Sequence, residues 1–435
     1  MPTARAVGAR RTTSGRCWAR EQAERVGYPH GALTPPTAIS NWLAESGLRN
    51  LPLEELVDGF ARRLNEAGVP AARIFVGTNT VHPMVLVRSL IWDRATGPAV
   101  HYEFQYAEID QPIIRQSPFA GMLQAGTFEQ RLDLRLPPSP DELPVFEELR
   151  GLGMTDWLAN VFPFGELSPG IVNPRANEGV GQLWLVSSVA TDRADGFDDG
   201  QIATLREVLP VFALAAKAVT MRAVGQGLLE AYLGKDPASR VMAGTVLRGE
   251  VQSVDAVLFY ADLRAFTPLA DSLPGGELIA LLDGCFDCMV RPVNRHGGEV
   301  LKFLGDGLLA IFRLKERQRP RICASALAAA SEALDLMELL AADRLKDGKP
   351  TPGLDIALHV GTVQYGNVGT DARLDFTVIG PAVNTVARIE PLCATLGSAL
   401  LMSAAFAARC GRPVRSLGAH AMRGLAQKQE LFALA

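Results

Sequence analysis

The stretch Gly297–Phe312, GGEVLKFLGDGLLAIF, decides the fold of the C-terminal half of the chain. Two apolar runs of the β type flank a Gly-Asp-Gly turn, which predicts a hairpin that carries Lys302 and Asp306. An earlier apolar run, Ala256–Ala261, also ends in an acid, Asp262. Two strand-end carboxylates that converge repel each other unless a cation lies between them. The pattern therefore points to a cation site beside this hairpin.

The composition is that of a soluble globular protein. The 435 residues are 48% hydrophobic and 21% charged, with a formal net charge of −4, and this length allows about two to three domains. This balance gives no electrostatic reason to expect nucleic acid or an anionic membrane as a partner. The most apolar run, Val208–Met221, is too short for a spanning helix and holds Pro210 and Lys217. We therefore expect a cytoplasmic protein, and its six cysteines, which form no zinc pattern, are expected to be reduced thiols.

Four segments follow from the pattern along the chain: a disordered tail over 1–44, a domain over 45–222, a helical linker over 223–250 and a second domain over 251–435. In the first domain, apolar spacing predicts a helix over Leu53–Gly68, and strand-like runs follow it. Asp198 and Gln201 have the spacing of a capping box at the start of a closing helix.

This order of elements resembles a GAF domain, an α+β fold. The resemblance implies a regulatory domain with a small-molecule ligand. A packing and dimerisation domain that binds no ligand is the alternative.

From Val254 onward the pattern is α/β, and four sequence blocks stand out. They are FYADLRAFTPLA, GGEVLKFLGDG, LHVGTVQYGNVG and LDFTVIGPAVNTVARIE. In this order and with these gaps they resemble the signature blocks of class III nucleotidyl cyclases. The resemblance implies a ferredoxin-like βαββαβ domain, and it implies that two protomers of a homodimer form the active site between them.

The resemblance also implies a metal site and a reaction. Asp262 and Asp306, with the Leu263 carbonyl, would hold two Mg²⁺ or Mn²⁺ ions per active site, since oxygen donors suit hard cations. The implied reaction is attack of the ATP 3′-hydroxyl on the α-phosphate, which yields 3′,5′-cyclic AMP and pyrophosphate. The turn that contains Phe266 and Thr267 would bind phosphate oxygens through backbone amides.

Three further side chains receive roles from the resemblance. Asn384 and Arg388 are four residues apart, so they share one face of a helix. Asn384 would orient the ribose, and Arg388 would neutralise charge that develops on the α-phosphoryl group. Arg423 would contact phosphate.

Base choice is implied to come from Lys302 and Thr377, with Asp375 as a second candidate at the strand position. An ammonium only donates hydrogen bonds, so it suits adenine N1 and disfavours the guanine N1–H. We therefore expect an adenylate cyclase. A guanylate cyclase is the first alternative, and a catalytically silent cyclase-fold signalling module is the second. One departure from the family pattern is Ala265, which stands where glycine is usual and narrows the backbone freedom of the phosphate turn.

Overall fold

The structure is a computed structural model that describes residues 35–80, 84–105, 111, 114, 116–165, 183–425 and 427–435. The chain divides into two compact units, Met1–Met221 and Arg222–Ala435. Of the predicted tail, residues 1–34 lie outside the described residues. Residues 35–44 are helical, so the predicted tail is too long there, because Ile39 and Leu43 are buried in the core of the first unit.

The first unit contains one antiparallel sheet with the strand order β3-β2-β1-β6-β5-β4. Its strands are β1 (Arg73–Asn79), β2 (Val85–Asp93), β3 (Gly97–Gln105), β4 (Glu129–Asp133), β5 (Asp156–Pro163) and β6 (Trp184–Thr191). Its helices are α1 (Pro35–Leu48), α2 (Leu53–Glu66), α3 (Pro118–Ala125), α4 (Pro144–Gly151) and α5 (Asp199–Leu233), the last of which begins in this unit.

Each face of this sheet has its own core. Helices α1, α2 and α5 cover one face, where Phe60 stacks on Phe212 with ring centroids 4.6 Å apart. Helices α3 and α4 cover the other face with an aromatic cluster in which Phe146 meets Trp157 at 5.0 Å. The sequence prediction for α2 is confirmed, because its apolar stripe is the buried one.

The predicted capping box at the start of α5 is confirmed. The backbone N–H of Gln201 donates to Asp198 Oδ1 over 2.9 Å, and the N–H of Asp198 donates to Gln201 Oε1 over 3.0 Å. Within the described ranges α5 is also the one helix whose length and apolar composition would allow a membrane crossing. Its buried residues, Leu205 and Phe212 among them, belong to the core described above, which is the usual place of such a helix in a globular unit.

The second unit contains an eight-stranded sheet with the order β13-β14-β12-β10-β7-β9-β8, and β11 pairs with β10 off this path. Its strands are β7 (Val251–Arg264), β8 (Glu299–Leu304), β9 (Gly307–Arg313), β10 (Gly353–Gly369), β11 (Leu374–Ile379), β12 (Leu400–Ser403), β13 (Val414–His420) and β14 (Gln429–Leu434). Its helices are α6 (Lys235–Met242), α7 (Phe266–Ser272), α8 (Gly275–Arg295), α9 (Arg319–Lys346), α10 (Pro381–Ile389), α11 (Leu392–Leu396) and α12 (Ala404–Ala407).

The centre of this sheet has the predicted βαββαβ order. The segments β7-α8-β8-β9-α9-β10 form an antiparallel sheet in which β7 and β9 lie between β10 and β8. Helices α8 and α9 bury one face around Phe259 and Phe312. Strand β11 with α10 and α11 buries the opposite face around Tyr365 and Phe376.

The two glycines in Tyr365–Gly369 predict a turn after a strand over Leu354–Val360, and this prediction is wrong. Strand β10 continues through this segment to Gly369. A Cβ added at Gly366 would lie 2.1 Å from the Glu250 carbonyl oxygen, and one at Gly369 would lie 2.3 Å from that of Arg373. These two glycines therefore allow close approach of neighbouring backbone instead of reversing the chain.

The linker predicted over 223–250 is largely helical. Helix α5 runs to Leu233 and α6 follows after Gly234. Asp236 lies inside the first turn of α6, where its carboxylate accepts from Tyr365 Oη at 2.8 Å and from Arg313. Its own backbone N–H donates to Glu299 Oε1 over 3.0 Å. The start of α6 is thereby fixed to strands β8, β9 and β10.

The described cysteines behave as predicted for reduced thiols. All five between Cys285 and Cys410 are free and buried. Burial raises the pKa of Cys285 to about 12 and that of Cys323 to about 11, so both stay protonated at neutral pH.

His359 on β10 is an uncharged histidine in a partly buried position. Its Nδ1 lies 2.8 Å from Ser403 Oγ, and burial lowers its pKa to about 4. A histidine in the unfolded chain titrates near 6.5. Between these two pH values the unfolded chain binds more protons than the folded one, so stability is lost as the pH falls from about 6.5 toward about 4.

Replacement of His359 by glutamine tests this assignment. Between pH 7.5 and pH 5, we expect the free energy of unfolding in urea to fall by about 2 kcal/mol more in the wild type than in His359→Gln. The reason is that glutamine has no proton to bind in the unfolded state. An equal fall in both proteins would contradict the assignment.

Candidate active site

The site begins where β7 ends beside the turn of the β8–β9 hairpin. A Cβ added at Gly307 would lie 2.5 Å from Asp262 Oδ1 and 2.4 Å from the Ala261 carbonyl oxygen, so no side chain fits at this position. The close approach brings Asp306, the residue before Gly307, beside Asp262. The structure therefore brings together the two strand-end acids that the sequence suggested would converge.

Electrostatics show how closely these acids interact. Burial, followed by the charge of Asp306, raises the pKa of Asp262 to about 6. Burial, followed by the charge of Asp262, raises the pKa of Glu390 at the end of α10 to about 7. Within the described residues neither Asp262 nor Glu390 forms an ion pair. This region thus contains an excess of negative charge that a cation would relieve.

A third acid in this region is already neutralised. Asp355 on β10 is the register partner of Asp262 on β7, and it is only 3% exposed. Arg264 holds it in a bidentate ion pair, with Nε 2.9 Å from Oδ2 and the second guanidinium nitrogen on Oδ1. This pairing raises the pKa of Arg264, and it compensates a desolvated carboxylate that would otherwise be costly.

The donors around Asp262 fit a hard divalent cation. Asp262, Asp306 and the Leu263 carbonyl supply oxygen atoms only, which is the ligand chemistry of Mg²⁺ and Mn²⁺. No cluster of three or more His, Cys, Asp or Glu side chains within the described ranges forms a closed metal cage. A site with two carboxylates suits Mg²⁺ nonetheless, because Mg²⁺ usually keeps several waters and takes substrate phosphates as ligands.

The segment after Leu263 is strained at one residue. Ala265 precedes α7 with φ +61° and ψ +32°, a left-handed conformation that costs an L-residue roughly 1–2 kcal/mol. Phe266 packs against the core that α8 and α9 form on one face of the sheet, while Thr267 is exposed. The assignment of this turn to phosphate binding stays a prediction.

Substitution of Ala265 by glycine should relieve this strain. We expect Ala265→Gly to raise the free energy of unfolding by about 0.5–1 kcal/mol, because glycine adopts positive φ freely. The matched control is Ala328→Gly, at an exposed position inside α9, which should lower it by about 1 kcal/mol. Urea denaturation of both variants measures the difference, and destabilisation by both substitutions would contradict the strain at Ala265.

Helix α10 presents two polar side chains without partners in the described part of the chain. Asn384 is exposed and Arg388 is partly buried, and neither makes a side-chain hydrogen bond or an ion pair there. A Cβ added at Gly424 would lie 3.4 Å from an Arg388 guanidinium nitrogen, so Gly424, the neighbour of the exposed Arg423, lies near Arg388. These three polar residues are therefore available to a ligand.

The base-reading residues lie on β8 and β11. Lys302 Nζ forms an ion pair with Asp375, and both side chains are nearly half exposed. Thr377 lies two residues further along β11 on the same face as Asp375. The Thr377 hydroxyl makes no hydrogen bond with the described residues. The sequence favoured Thr377 over Asp375 as the partner of Lys302, and the structure pairs Lys302 with Asp375.

The C-terminal unit resembles a known family of catalytic domains. Residues 250–429 match the family model described as the adenylate and guanylate cyclase catalytic domain. This part of the chain is thus similar to class III adenylate/guanylate cyclase catalytic domains, and its unit has a mixed α/β fold.

Individual relatives carry adenylate cyclase names. The chain is 28% identical over 265 residues to adenylate cyclase 2 of Rhizobium meliloti, covering 59% of this chain and 69% of that protein. It is 30% identical over 147 residues to an adenylate cyclase of Anabaena cylindrica, covering 34% of this chain and 29% of that protein. The adenylyl cyclase CyaB from P. aeruginosa superimposes with a TM-score of 0.40 at 23% identity, over 43% of this chain and 96% of that one. The chain thus spans less than a third of the Anabaena protein.

Three charged residues at this site were not assigned from the sequence: Arg264, Asp355 and Glu390. Arg264 and Asp355 lie on neighbouring strands but 91 positions apart in sequence, so only the β7–β10 register reveals their pairing. Glu390 did leave a signal, since an acid at the end of a helix that buries Val386 and Ile389 is unusual.

Proposed function

We propose that this protein is an adenylate cyclase that converts ATP to 3′,5′-cyclic AMP and pyrophosphate at a homodimer interface. The observation that carries the proposal is the convergence of Asp262 and Asp306 at the strand-end edge of a cyclase catalytic domain. Their carboxylates and the Leu263 carbonyl would hold Mg²⁺ or Mn²⁺, which lowers the pKa of the ribose 3′-hydroxyl and neutralises the triphosphate.

The remaining residues act by positioning and by charge. Arg388 has no carboxylate partner among the described residues, so its guanidinium is available to the α-phosphoryl group as negative charge develops there. Asn384, one helical turn earlier, would hold the ribose with its amide. Lys302 would donate to adenine N1, and Thr377 would accept from the adenine amino group. The amides after Leu263, with Phe266 and Thr267, and the exposed Arg423 would contact phosphate.

ATP is favoured over GTP by the same chemistry. A lysine ammonium has no acceptor for the guanine N1–H, and placing the two together leaves donors facing each other. The adenylate cyclase name of the Rhizobium relative supports this choice. In a guanylate cyclase, Lys302 would have no role in base recognition. In a silent cyclase-fold module, Asn384 and Arg388, which have no partners among the described residues, would bind no substrate.

Product analysis with Mn²⁺ tests the proposal. We expect the wild type to form cyclic AMP from ATP faster than cyclic GMP from GTP, and Asp306→Ala to lower the ATP rate by at least about 100-fold because a metal carboxylate is lost. Mn²⁺ should also raise the melting temperature of the wild type and not that of the variant. The control is Asp371→Ala, which removes an acid that is 93% exposed and paired with Arg248. Equal rates for wild type and Asp306→Ala would refute the metal assignment.

The homodimer is tested by complementation. In the proposed arrangement the acids of one protomer act with Lys302, Asn384 and Arg388 of its partner, so Asp306→Ala and Arg388→Ala chains are each inactive alone. Random mixing should restore about a quarter of wild-type activity, because half of the dimers are mixed and each mixed dimer has one intact site. Mixtures as inactive as their components would rule out a site shared in this way.

We also propose that the first unit is a GAF-like regulatory domain. Its antiparallel six-stranded sheet and the capping-box helix α5 support this assignment. Aromatic side chains fill the sheet face beneath α3 and α4, where Phe75 stacks on Phe119 with centroids 5.3 Å apart. A small regulatory ligand on this unit remains part of the proposal.

A further inference from the structure

The ion pair between Lys302 and Asp375 joins two strands that share no backbone hydrogen bonds. Strand β8 is the last strand at one end of the sheet, whereas β11 pairs with β10, three strands away in the sheet order. When the strand pairings are followed from β8 through β9 and β7 to β10, Lys302 falls in the same cross-strand row as Ala357. Asp375 on β11 pairs directly with Val368 of β10. Those β10 residues are eleven positions apart, which is about 36 Å on a straight strand. The β10–β11 ribbon must therefore curl over the sheet face to bring Asp375 to Lys302.

Backbone features on both strands direct this contact. The β8–β9 register shifts between Val300 and Lys302, so β8 has a bulge at Leu301, and a bulge re-aims the side chains beside it. On β11, Phe376 and Val378 are buried in the core, which points Asp375 and Thr377 to the opposite face. Phe376 also packs edge-on against Tyr365 with centroids 4.9 Å apart.

The pair contributes little to stability. Lys302 and Asp375 keep 43% and 47% of their side-chain surface exposed, and ion pairs this accessible contribute about 0–1 kcal/mol. The main effect of the ion pair is to fix the position of the Lys302 ammonium, because a lysine side chain is long and flexible unless a partner holds it.

We propose that Asp375 is a positioning residue that holds the Lys302 ammonium at the base subsite and so contributes to the choice of ATP over GTP. This inference rests on the proposed function. The ammonium has three donors, and one that is used for Asp375 leaves two for the adenine ring and Thr377. The carboxylate, while engaged by Lys302, is also less available to accept from the N1–H and amino group of guanine.

Binding of nucleotides that cannot cyclise tests the proposal. The probes are 3′-deoxy-ATP and 3′-deoxy-GTP with Mg²⁺, which lack the attacking hydroxyl and report base recognition without turnover. We expect Asp375→Asn to weaken 3′-deoxy-ATP binding about 10-fold, with no loss for 3′-deoxy-GTP, because the ammonium is no longer held by a charged acceptor. Asp375→Glu should recover most of the selectivity. In turnover, the KM for ATP should change more than kcat.

A matched control and a double variant separate positioning from folding. Asp371→Asn makes the same charge change in the turn before β11, at an acid that is 93% exposed, and it should leave both affinities unchanged. In the background of Lys302→Met, Asp375→Asn should have no further effect on the ratio of the two affinities, because its partner is absent. An additive effect in that background would overturn the proposal.

The outcomes distinguish this proposal from the cyclase assignment. An unchanged affinity ratio in Asp375→Asn overturns it, and so does tighter 3′-deoxy-ATP binding, which would mean that Asp375 withholds the ammonium from the base. A wild type that binds neither analogue overturns it as well. If the wild type selects 3′-deoxy-ATP through Asp375 yet forms no cyclic nucleotide, the cyclase proposal fails and this one stands.

Discussion

The carboxylates of Asp262 and Asp306 repel each other, yet the fold holds them together because Gly307 leaves no side chain between them. Asp262 lies near the end of β7, and Asp306 lies in the turn before β9. The middles of both strands are buried, so the sheet cannot relax to separate the acids without loss of core contacts. Burial first, and the charge of Asp306 second, raise the pKa of Asp262, so protonation of this carboxyl relieves part of the repulsion. A divalent cation would relieve the same repulsion without a proton. The order of the strands, the glycine turn and the acids are thus parts of one electrostatic arrangement.

The sequence was sufficient for most of the second unit. Hydrophobic patterning located the β8–β9 hairpin, and two acids that follow apolar runs indicated where negative charge would gather. The turn predicted over Tyr365–Gly369 was wrong because the sequence does not reveal the neighbouring strand. Without that strand, a glycine that permits close strand contact cannot be distinguished from a glycine that reverses the chain. The Arg264–Asp355 pair and the choice of Asp375 over Thr377 as the partner of Lys302 depend on strand register and on the curl of a ribbon. The local sequence pattern contains no information on this register or on the curl of the ribbon.

In the first unit, a local feature was predicted correctly and a feature that depends on distant segments was not. Local signals with a fixed spacing, such as the capping box of Asp198 and Gln201, were predicted to the residue. The end of the N-terminal tail was not, because Ile39 and Leu43 gain their stability from a core assembled by distant segments. Helix α1 has only a weak amphipathic pattern of its own, so it depends on tertiary contacts more than α2 does.

The curled ribbon has a consequence for how substrate choice is encoded. Lys302 and Asp375 meet although their register positions on β10 would be about 36 Å apart on a straight strand, and Tyr365 and Phe376 pack in the core beneath the ribbon. Under the proposed function, selectivity would be distributed: the atoms that would meet the purine are polar and accessible, while the residues that determine their separation are apolar and buried. Under that proposal, substitution of the buried Tyr365 or Phe376 would alter nucleotide preference without changing any group that contacts the nucleotide.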